Sequence, residues 1–319
     1  MTDLAPRELA GRLAGGLLSF PVTPFTEDGA VDHRRLVDHL EWQSGHDIAG
    51  LFVAGGTGEG FSLSPEEHRE VTRTAVGAVR RGVPVLSSAS GSTAQAVEMA
   101  RAAEASGAAG LLLMPPYLTE AAQDGLAAHA AAVLESTSLG VILYNRANAQ
   151  YSGRTVARLA DEHPNLIGFK DGVGDIEHLA RVRSAAGDRL FYLGGLPTAE
   201  TFALPLLQMG MTTYSSAMFN FVPEFALAFH RDVLVQDTRA VQEKLDRFVL
   251  PYLDIRDREK GFGVSIVKAG LRSVGRDCGP VRPPLRDLDA TEQTQLDALV
   301  ASLPADVRST GSAREELSA

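Results

Sequence analysis

The chain carries a lysine at the end of a strongly apolar segment, where an amine could act as a nucleophile. Residues 166–169 (Leu-Ile-Gly-Phe) run directly into Lys170, and Asp171 and Gly172 follow at once. This pattern is typical of a buried parallel strand that ends in a turn. A lysine with its ordinary pKa of about 10.4 is almost entirely protonated at neutral pH. Burial or a neighbouring cation lowers that pKa, and the neutral amine can then form a Schiff base with a ketone. The alternative is an ordinary solvated lysine.

Two further clusters could bind and transform an acidic substrate. Residues 55–59 (Gly-Gly-Thr-Gly-Glu) are rich in backbone amides and can form an anion site. They match neither a P-loop nor a dinucleotide fingerprint, so a carboxylate is a better ligand than a nucleotide phosphate. Tyr144 could transfer a proton, and Arg146 could bind a second carboxylate. The alternatives are a tight turn without a ligand and a tyrosine that only packs.

Acidic residues near Lys170 could suggest a metal site. Asp175 and Glu177, however, stand at the start of a predicted helix, where carboxylates cap the helix and favour its dipole. The histidines at positions 33, 39, 46 and 68 form no His-x-x-x-His pair and lie away from the predicted strand ends. We therefore predict no metal site.

Composition limits the classes of function open to the chain. Its 319 residues are 45% hydrophobic and carry a formal net charge of -10, without a block of basic residues. This acidic balance argues against a nucleic-acid partner. Cys278 is the single cysteine, which excludes disulfides within the chain and Cys-rich metal sites and favours a cytoplasmic location. No segment is apolar over the ~20 residues that cross a bilayer, and residues 1–12 do not resemble a signal peptide.

Apolar segments alternate with segments of helical periodicity along most of the chain. Each apolar segment is hydrophobic on both faces, as expected of buried parallel strands. A capping box at residues 64–67, with proline at the first helical position, marks one of the helix starts. The predicted strands cover residues 16–22, 48–54, 83–89, 109–114, 139–144, 165–170, 190–193 and 212–215. This repetition predicts an α/β fold, a TIM (β/α)8 barrel.

A doubly wound open sheet is the alternative architecture. It is disfavoured because the first strand–helix turn lacks a dinucleotide fingerprint and no break separates two halves. From residue 223 onward the pattern is entirely helical. We therefore predict a barrel at residues 1–230, a C-terminal helical bundle at residues 231–303 and a polar, disordered tail at residues 304–319.

A barrel of this kind carries its functional groups at the C-terminal ends of its strands. The distinctive polar and glycine-rich clusters of this sequence follow predicted strands, so their convergence on one face is itself a prediction. In chain order they are Thr23, Gly56, Thr57, residues 87–90, Tyr117, Tyr144, Arg146, Lys170, residues 194–195 and residues 215–216.

Several of these segments occur in the same order in a known group of enzymes. Residues 20–25 (Phe-Pro-Val-Thr-Pro-Phe), 56–59 (Gly-Thr-Gly-Glu), 144–145 (Tyr-Asn) and 168–171 (Gly-Phe-Lys-Asp) resemble motifs of the dihydrodipicolinate synthase / N-acetylneuraminate lyase superfamily. The likeness extends over most of the chain. The resemblance implies a class I Schiff-base barrel in which Lys170 carries the substrate, with no metal and no organic cofactor.

Two departures distinguish the chain from the synthase branch of that superfamily. The synthase has paired threonines in its second-strand motif, and Gly56 stands where the first of them relays a proton. Its dicarboxylate-binding arginine comes several residues after the fifth-strand tyrosine, whereas Arg146 follows Tyr144 by two. Both differences argue against the synthase. Segments such as residues 168–175, 192–198 and 265–270 instead resemble a branch that dehydrates and decarboxylates a keto-deoxy sugar diacid. Gly60 also stands where a bulky aromatic residue is expected, which would loosen that side of the pocket.

The resemblance implies a role for each candidate residue. Lys170 would attack the ketone next to one carboxylate, which would rest on Thr57 and nearby amides. Tyr144 would transfer protons during Schiff-base formation, and side chains after the fifth and eighth strands would hold the hydroxyls and the distal carboxylate. The predicted substrate-binding residues are Gly56, Thr57, Arg146, Asn148, Gly195 and Ser215.

Three other functions stay open on the sequence. A 2-keto-3-deoxy sugar-acid aldolase would use the same Lys170 and differ in the distal pocket. A non-catalytic binding barrel and a metal-dependent barrel lyase are the other two. Members of the superfamily commonly form tetramers, and Tyr117 resembles a tyrosine that reaches a neighbour's active site, so the resemblance also implies a homo-oligomer.

Overall fold

The computed structural model describes residues 4–116, 120–305 and 307–308, and within them eight parallel strands close into a barrel. Each strand pairs with its neighbour in chain order, and the last pairs with the first. The strands are β1 (Leu18–Ser19), β2 (Gly50–Phe52), β3 (Val85–Gly91), β4 (Gly110–Pro116), β5 (Gly140–Asn145), β6 (Leu166–Asp171), β7 (Phe191–Gly194) and β8 (Thr213–Ser216). The predicted TIM barrel is confirmed, and the open-sheet alternative is excluded.

Helices cover the outside of the barrel and continue beyond its last strand. They are α1 (Pro6–Ala14), α2 (His33–Ser44), α3 (Pro65–Ala78), α4 (Thr93–Ala105), α5 (Gln123–Leu134), α6 (Gly153–Glu162), α7 (Ile176–Ala186), α8 (Glu200–Gln208), α9 (Pro223–Leu234), α10 (Thr238–Lys244), α11 (Leu250–Arg256), α12 (Phe262–Ser273) and α13 (Ala290–Ala301). The predicted capping box of α3 is confirmed, since Ser64 and Glu67 cap each other's amides.

Helix α1 closes the N-terminal end of the barrel, opposite the strand ends that carry the polar clusters. Its Leu9 and Leu13 are completely buried. The strands make room for them with glycine, because a Cβ on Gly110 would lie 2.7 Å from the Leu9 side chain and one on Gly50 would lie 2.5 Å from that of Leu13. The sequence analysis does not predict this helix, since nine residues carry too little periodicity.

The C-terminal helices begin with one long, irregular element. Helix α10 passes through a π-helical turn at Leu245–Val249 into α11. Pro251 has no amide hydrogen for an i→i−4 bond, which accounts for the wider turn just before it. Helix α12 packs closely on the barrel, because a Cβ on Gly270 would lie 2.7 Å from the Phe221 ring.

The domain boundaries proposed at residues 230 and 303 stay a prediction. The proposed tail, residues 304–319, lies largely outside the described residues. No helix in the part of the chain that the structure describes combines the length and apolar character of a bilayer-spanning segment.

Candidate active site

A cavity of about 630 Å³ opens at the C-terminal ends of the strands. Lys170 and Tyr144 stand side by side on it, because they are register partners on β6 and β5. The barrel therefore brings together groups that are far apart in sequence. The predicted site residues that line the cavity are Gly56, Thr57, Tyr144, Arg146, Lys170, Gly195 and Ser215.

The Lys170 amine is held in an apolar environment. The residue is 3% exposed, and its Nζ lies 3.6 Å from the centroid of the Phe20 ring and 4.5 Å from that of the Tyr144 ring. Within the described residues it forms no ion pair with a carboxylate. Burial, with a smaller contribution from the charge of Arg146, holds the pKa of Lys170 well below its ordinary value. The solvated-lysine alternative is excluded, and the site favours a neutral, nucleophilic amine.

Gly195 gives the lysine side chain its path across the barrel mouth. A Cβ at this position would lie 2.3 Å from Cε and 2.5 Å from Cγ of Lys170, so the lysine side chain would have to leave this path to accommodate it. The Gly195 amide donates to the Asp171 carbonyl at 2.6 Å and ties β6 to the segment after β7. The glycine is therefore required by close approach rather than by a turn.

The Tyr144 hydroxyl is held by two hydrogen bonds at the mouth of the barrel. Its hydroxyl donates to the Gly195 carbonyl at 2.9 Å and accepts from Nη1 of Arg146 at 2.9 Å. Burial raises the pKa of Tyr144, and the neighbouring Arg146 partly opposes that rise. The ring needs a glycine beneath it, because a Cβ on Gly172 would lie 2.6 Å from Cε2 of the tyrosine.

Asp171 and Asp175 organise the turn after Lys170. The buried Asp171 carboxylate accepts from Nδ2 of Asn145 at 3.2 Å and from the Gly174 amide at 3.0 Å. Asp175 accepts from the His178 amide and caps α7, as predicted. Among the described residues, no cluster of three or more His, Cys, Asp or Glu side chains could hold a metal ion.

The turn at residues 55–59 presents backbone amides to the cavity. The amides of Gly56 and Thr57 donate to no protein acceptor within the described ranges, although the amide of Glu59 closes the turn on the Gly56 carbonyl at 3.1 Å. Thr23, in the segment that follows β1, donates to the Gly58 carbonyl at 2.6 Å. The turn can therefore bind one carboxylate.

The glycine at position 60 is a requirement of the backbone. A Cβ there would lie 2.0 Å from the Ala54 carbonyl oxygen, so no side chain fits. The aromatic residue of this region is the next one, Phe61, which is 58% exposed and lines the cavity. A side chain at Gly56 would instead meet no atom within 4 Å, so that side of the cavity is open.

The remaining predicted residues occupy different places. Ser215 lines the cavity, with its hydroxyl 3.3 Å from the Gly194 carbonyl. Arg146 lines it with an exposed side chain. Asn148 is not among the lining residues, and its Nδ2 donates to the Pro116 carbonyl at 3.0 Å. Tyr117 lies outside the described residues.

Comparison with known proteins identifies the family to which the chain belongs. A sequence model described as "Dihydrodipicolinate synthetase family" matches residues 13–303. The chain belongs to this family. A family relative from Corynebacterium glutamicum, named "Probable 5-dehydro-4-deoxyglucarate dehydratase", is 63% identical over 302 residues, which are 95% of this chain and 96% of the relative.

Solved structures of the dihydrodipicolinate synthetase family share the architecture. A dihydrodipicolinate synthase from Oceanobacillus iheyensis has a TM-score of 0.85 at 23% identity, covering 93% of this chain and 98% of that one. YagE, a member from Escherichia coli K12 solved in complex with pyruvate, has a TM-score of 0.80 at 26% identity, covering 90% and 97%. The first likeness concerns the fold alone.

Two residues that line the cavity of this family member escape sequence reasoning. The Phe20 ring forms one wall of the amine site, although its motif suggests only a strand end. Arg256 of α11 lines the cavity and donates to the Pro197 carbonyl at 3.0 Å and to Thr198 Oγ1 at 2.7 Å. The mixed-charge segment around it permits a barrel-facing arginine, but no sequence signal selects Arg256.

Glu200 is a buried acid behind the cavity wall, at the start of α8. One carboxyl oxygen accepts from the Ser216 hydroxyl at 2.5 Å, while the other has no hydrogen-bond partner in the described structure. Burial raises the pKa of Glu200 from 4.5 to about 7. Its sequence context resembles an ordinary acidic residue in the first turn of a helix, so nothing marks it as buried.

We expect Glu200→Gln to reduce the pH dependence of stability in this family member. Because the folded pKa is raised, the stabilising effect of protonation is complete below about pH 4.5 and is lost as the pH rises through about 7. The advantage of wild type over the variant in free energy of unfolding should therefore fall by about 2 kcal/mol between about pH 5.5 and about pH 8.5. Urea denaturation measures it, with the exposed Glu177→Gln as the control, and a constant difference would contradict the burial argument.

Proposed function

We propose that the chain converts 5-dehydro-4-deoxy-D-glucarate to 2,5-dioxopentanoate (α-ketoglutarate semialdehyde), carbon dioxide and water through a Schiff base on Lys170. The buried Lys170 amine, 4.5 Å from the centroid of the Tyr144 ring and without a carboxylate partner among the described residues, is the observation that carries the proposal. The name of the 63% identical relative supports the choice of substrate. The pyruvate in the YagE complex has a ketone next to a carboxylate, and the proposed substrate presents the same pair of groups to the lysine.

The first step joins the substrate to the enzyme. The Lys170 nitrogen attacks the ketone carbon, and water leaves as the iminium forms. Tyr144 passes the proton that the departing oxygen needs, since its ring packs against the amine and its hydroxyl belongs to the same cavity. The carboxylate beside the ketone rests on Thr57 and on the free amides of the turn at residues 55–59.

The iminium then drives the loss of water and carbon dioxide. It acidifies the adjacent methylene, and the resulting enamine expels the β-hydroxyl, which leaves as water after protonation. The product is a conjugated iminium. The bond between the distal carboxylate and the chain then breaks, carbon dioxide departs, and the electron pair of that bond moves into the conjugated iminium. Reprotonation and hydrolysis release the five-carbon product and restore Lys170, so the lysine itself supplies the electron sink and no cofactor is needed.

The distal part of the substrate requires polar contacts at the other side of the cavity. We propose that Arg146 binds the distal carboxylate and that Ser215 binds a hydroxyl, since both line the cavity. Asn148 is proposed to join them from the loop after β5. Gly195 contributes by leaving room for the lysine and by accepting the Tyr144 hydrogen bond.

We also propose a cytoplasmic homo-oligomer that acts on small molecules and uses neither nucleic acid nor membranes as partners. The net charge of -10 and the single cysteine support this assignment. Tyr117 is proposed to reach the active site of a neighbouring subunit, as the family resemblance implies. Light scattering of the purified protein measures the number of subunits.

Incubation with 5-dehydro-4-deoxy-D-glucarate, with and without borohydride, tests the proposed function. We expect equimolar carbon dioxide and 2,5-dioxopentanoate, and a reduced adduct on the peptide that contains Lys170. Release of pyruvate instead would identify an aldolase. Absence of both turnover and adduct would favour the binding barrel, and loss of activity with a chelator would favour the metal-dependent lyase.

A further inference from the structure

We infer that Lys268, in the C-terminal helix α12, is a positioning residue for the carboxylate-binding turn at residues 55–59. Its Nζ lies 2.8 Å from Oε1 of Glu59, and both side chains are completely buried. The inference rests on the proposed Schiff-base function and adds to it. In this inference, a residue outside the eight-stranded barrel fixes the orientation of the substrate-binding backbone amides.

Glu59 is the residue through which the ion pair acts on the turn. It is the last residue of the turn, with a left-handed φ of 52°, and its amide closes the turn on Gly56. Its second carboxylate oxygen accepts from the Arg282 amide at 2.9 Å. Because both oxygens are held by the C-terminal part of the chain, they fix a backbone conformation that side chains rarely adopt unaided.

Lys268 is itself held by groups outside the turn. Its Nζ donates to the Pro280 carbonyl at 2.7 Å and lies 4.2 Å from the centroid of the Phe25 ring. The Cys278 carbonyl accepts from the Phe25 amide at 3.1 Å, so the segment around Pro280 is also anchored to the loop that follows β1. The turn is thus held from one side by α12 and the C-terminal segment that follows it, and from the other side by Thr23.

The arrangement favours a role in substrate binding over a role in stability alone. A buried ion pair adds little net stability over neutral groups of similar volume, since desolvation offsets the attraction. It does impose one geometry, and here that geometry sets the direction of the unpaired Gly56 and Thr57 amides. Amides that lose this alignment bind a carboxylate more weakly, whereas the Lys170 amine on β6 is unaffected.

The double variant Glu59→Gln/Lys268→Met removes both charges together, so that neither buried charge is left without its counter-charge. The probes are pyruvate and methyl pyruvate, two ketones of which only pyruvate carries a carboxylate charge. The measured quantity is the concentration of each ketone that gives half-maximal borohydride trapping on Lys170. We expect the preference for pyruvate over methyl pyruvate to fall by about tenfold or more, the loss expected for a charge-assisted hydrogen bond. The maximal trapping rate should change little.

Glu67→Gln provides the matched control. Glu67 pairs with the Arg282 side chain at 2.6 Å and also joins the C-terminal segment to the barrel, but it belongs to α3 rather than to the turn. This control should keep the wild-type preference. An unchanged preference in the double variant, or an equal fall for both ketones, would show that the pair is only structural and would overturn the inference.

A second variant covers the case in which the double variant does not fold. Glu59→Asp keeps the charge but shortens the side chain by one methylene, so the carboxylate can no longer reach Lys268 without moving the turn. The preference for pyruvate should again fall, and an unchanged preference would overturn the inference. Failure of wild type to trap pyruvate at all would instead count against the proposed Schiff-base function, so the two failures are distinguishable.

Discussion

Lys170→Met should abolish turnover and at the same time stabilise the fold. Loss of the covalent nucleophile is expected to lower kcat by about 10⁴-fold to 10⁶-fold, the range seen when other enzymes lose theirs. The stability gain follows from burial, since the folded protein must accommodate an amine among the Phe20 and Tyr144 rings. Methionine fills a similar volume without a polar group to desolvate.

The stability gain should depend on pH in a defined direction. The pKa of Lys170 is lowered well below 10.5 in the folded protein, so the unfolded chain binds the proton more tightly. Wild type is therefore penalised most at pH values below the folded pKa, and the penalty vanishes as the pH approaches 10.5. The thermal midpoint of the variant should exceed that of wild type most at acidic and neutral pH.

Activity assays and thermal denaturation of the same preparations test both halves of this prediction. Lys244→Met is the matched control, since Lys244 pairs with Asp232 and neither residue lines the cavity. The control should keep full trapping and turnover. A Lys170→Met protein that is less stable than wild type at neutral pH would contradict the assignment of a strained, neutral amine.

Gly195→Ala should lower kcat by about 100-fold while leaving the protein folded, because a displacement of the reacting group by about 1 Å has an effect of that size. The added Cβ would stand 2.3 Å from Cε of Lys170 and 3.0 Å from the Asp171 carbonyl oxygen. The lysine side chain is the softer of these two neighbours, so it moves first. The amine would leave its place beside Tyr144.

Gly77→Ala supplies the control for this substitution. Gly77 lies in α3, where a new Cβ meets no atom within 4 Å, and alanine there should raise stability by about 0.5–1 kcal/mol without changing kcat. Single-turnover trapping separates the effects on Lys170 from those on substrate binding. Wild-type trapping rates in Gly195→Ala would show that the lysine has another path into the cavity.

The barrel and its lysine could be predicted because their signals are local. Continuous apolar runs mark each strand, and a polar or glycine-rich segment follows each run, so all eight strands are found at nearly the observed positions. The first is the least accurate, since residues 16–22 are apolar but only Leu18–Ser19 pair with neighbouring strands. Apolar patterning reports burial, and burial extends beyond the paired residues.

Other parts of the site carry no local signal. Glu200 and Lys268 look like ordinary helix residues, and only the packing around them shows that both are buried. The requirement for glycine at position 195 arises from a lysine on another strand, and the wall formed by Phe20 arises from closure of the barrel between β1 and β8. Each depends on contacts between residues distant along the chain.

The sequence by itself determined the order of strands and helices, the strand-end lysine and the glycine-rich turn, because these follow from periodicity and from the chemistry of neighbouring residues. Tertiary structure alone decided which groups contact that lysine and how far its amine is shielded from solvent. It also decided that Lys268 of the C-terminal helix α12 forms a buried ion pair with Glu59. The reason is physical, because the pKa of a side chain and the orientation of a backbone amide depend on distances in space and on the exclusion of solvent. No short segment of sequence specifies those distances or that exclusion.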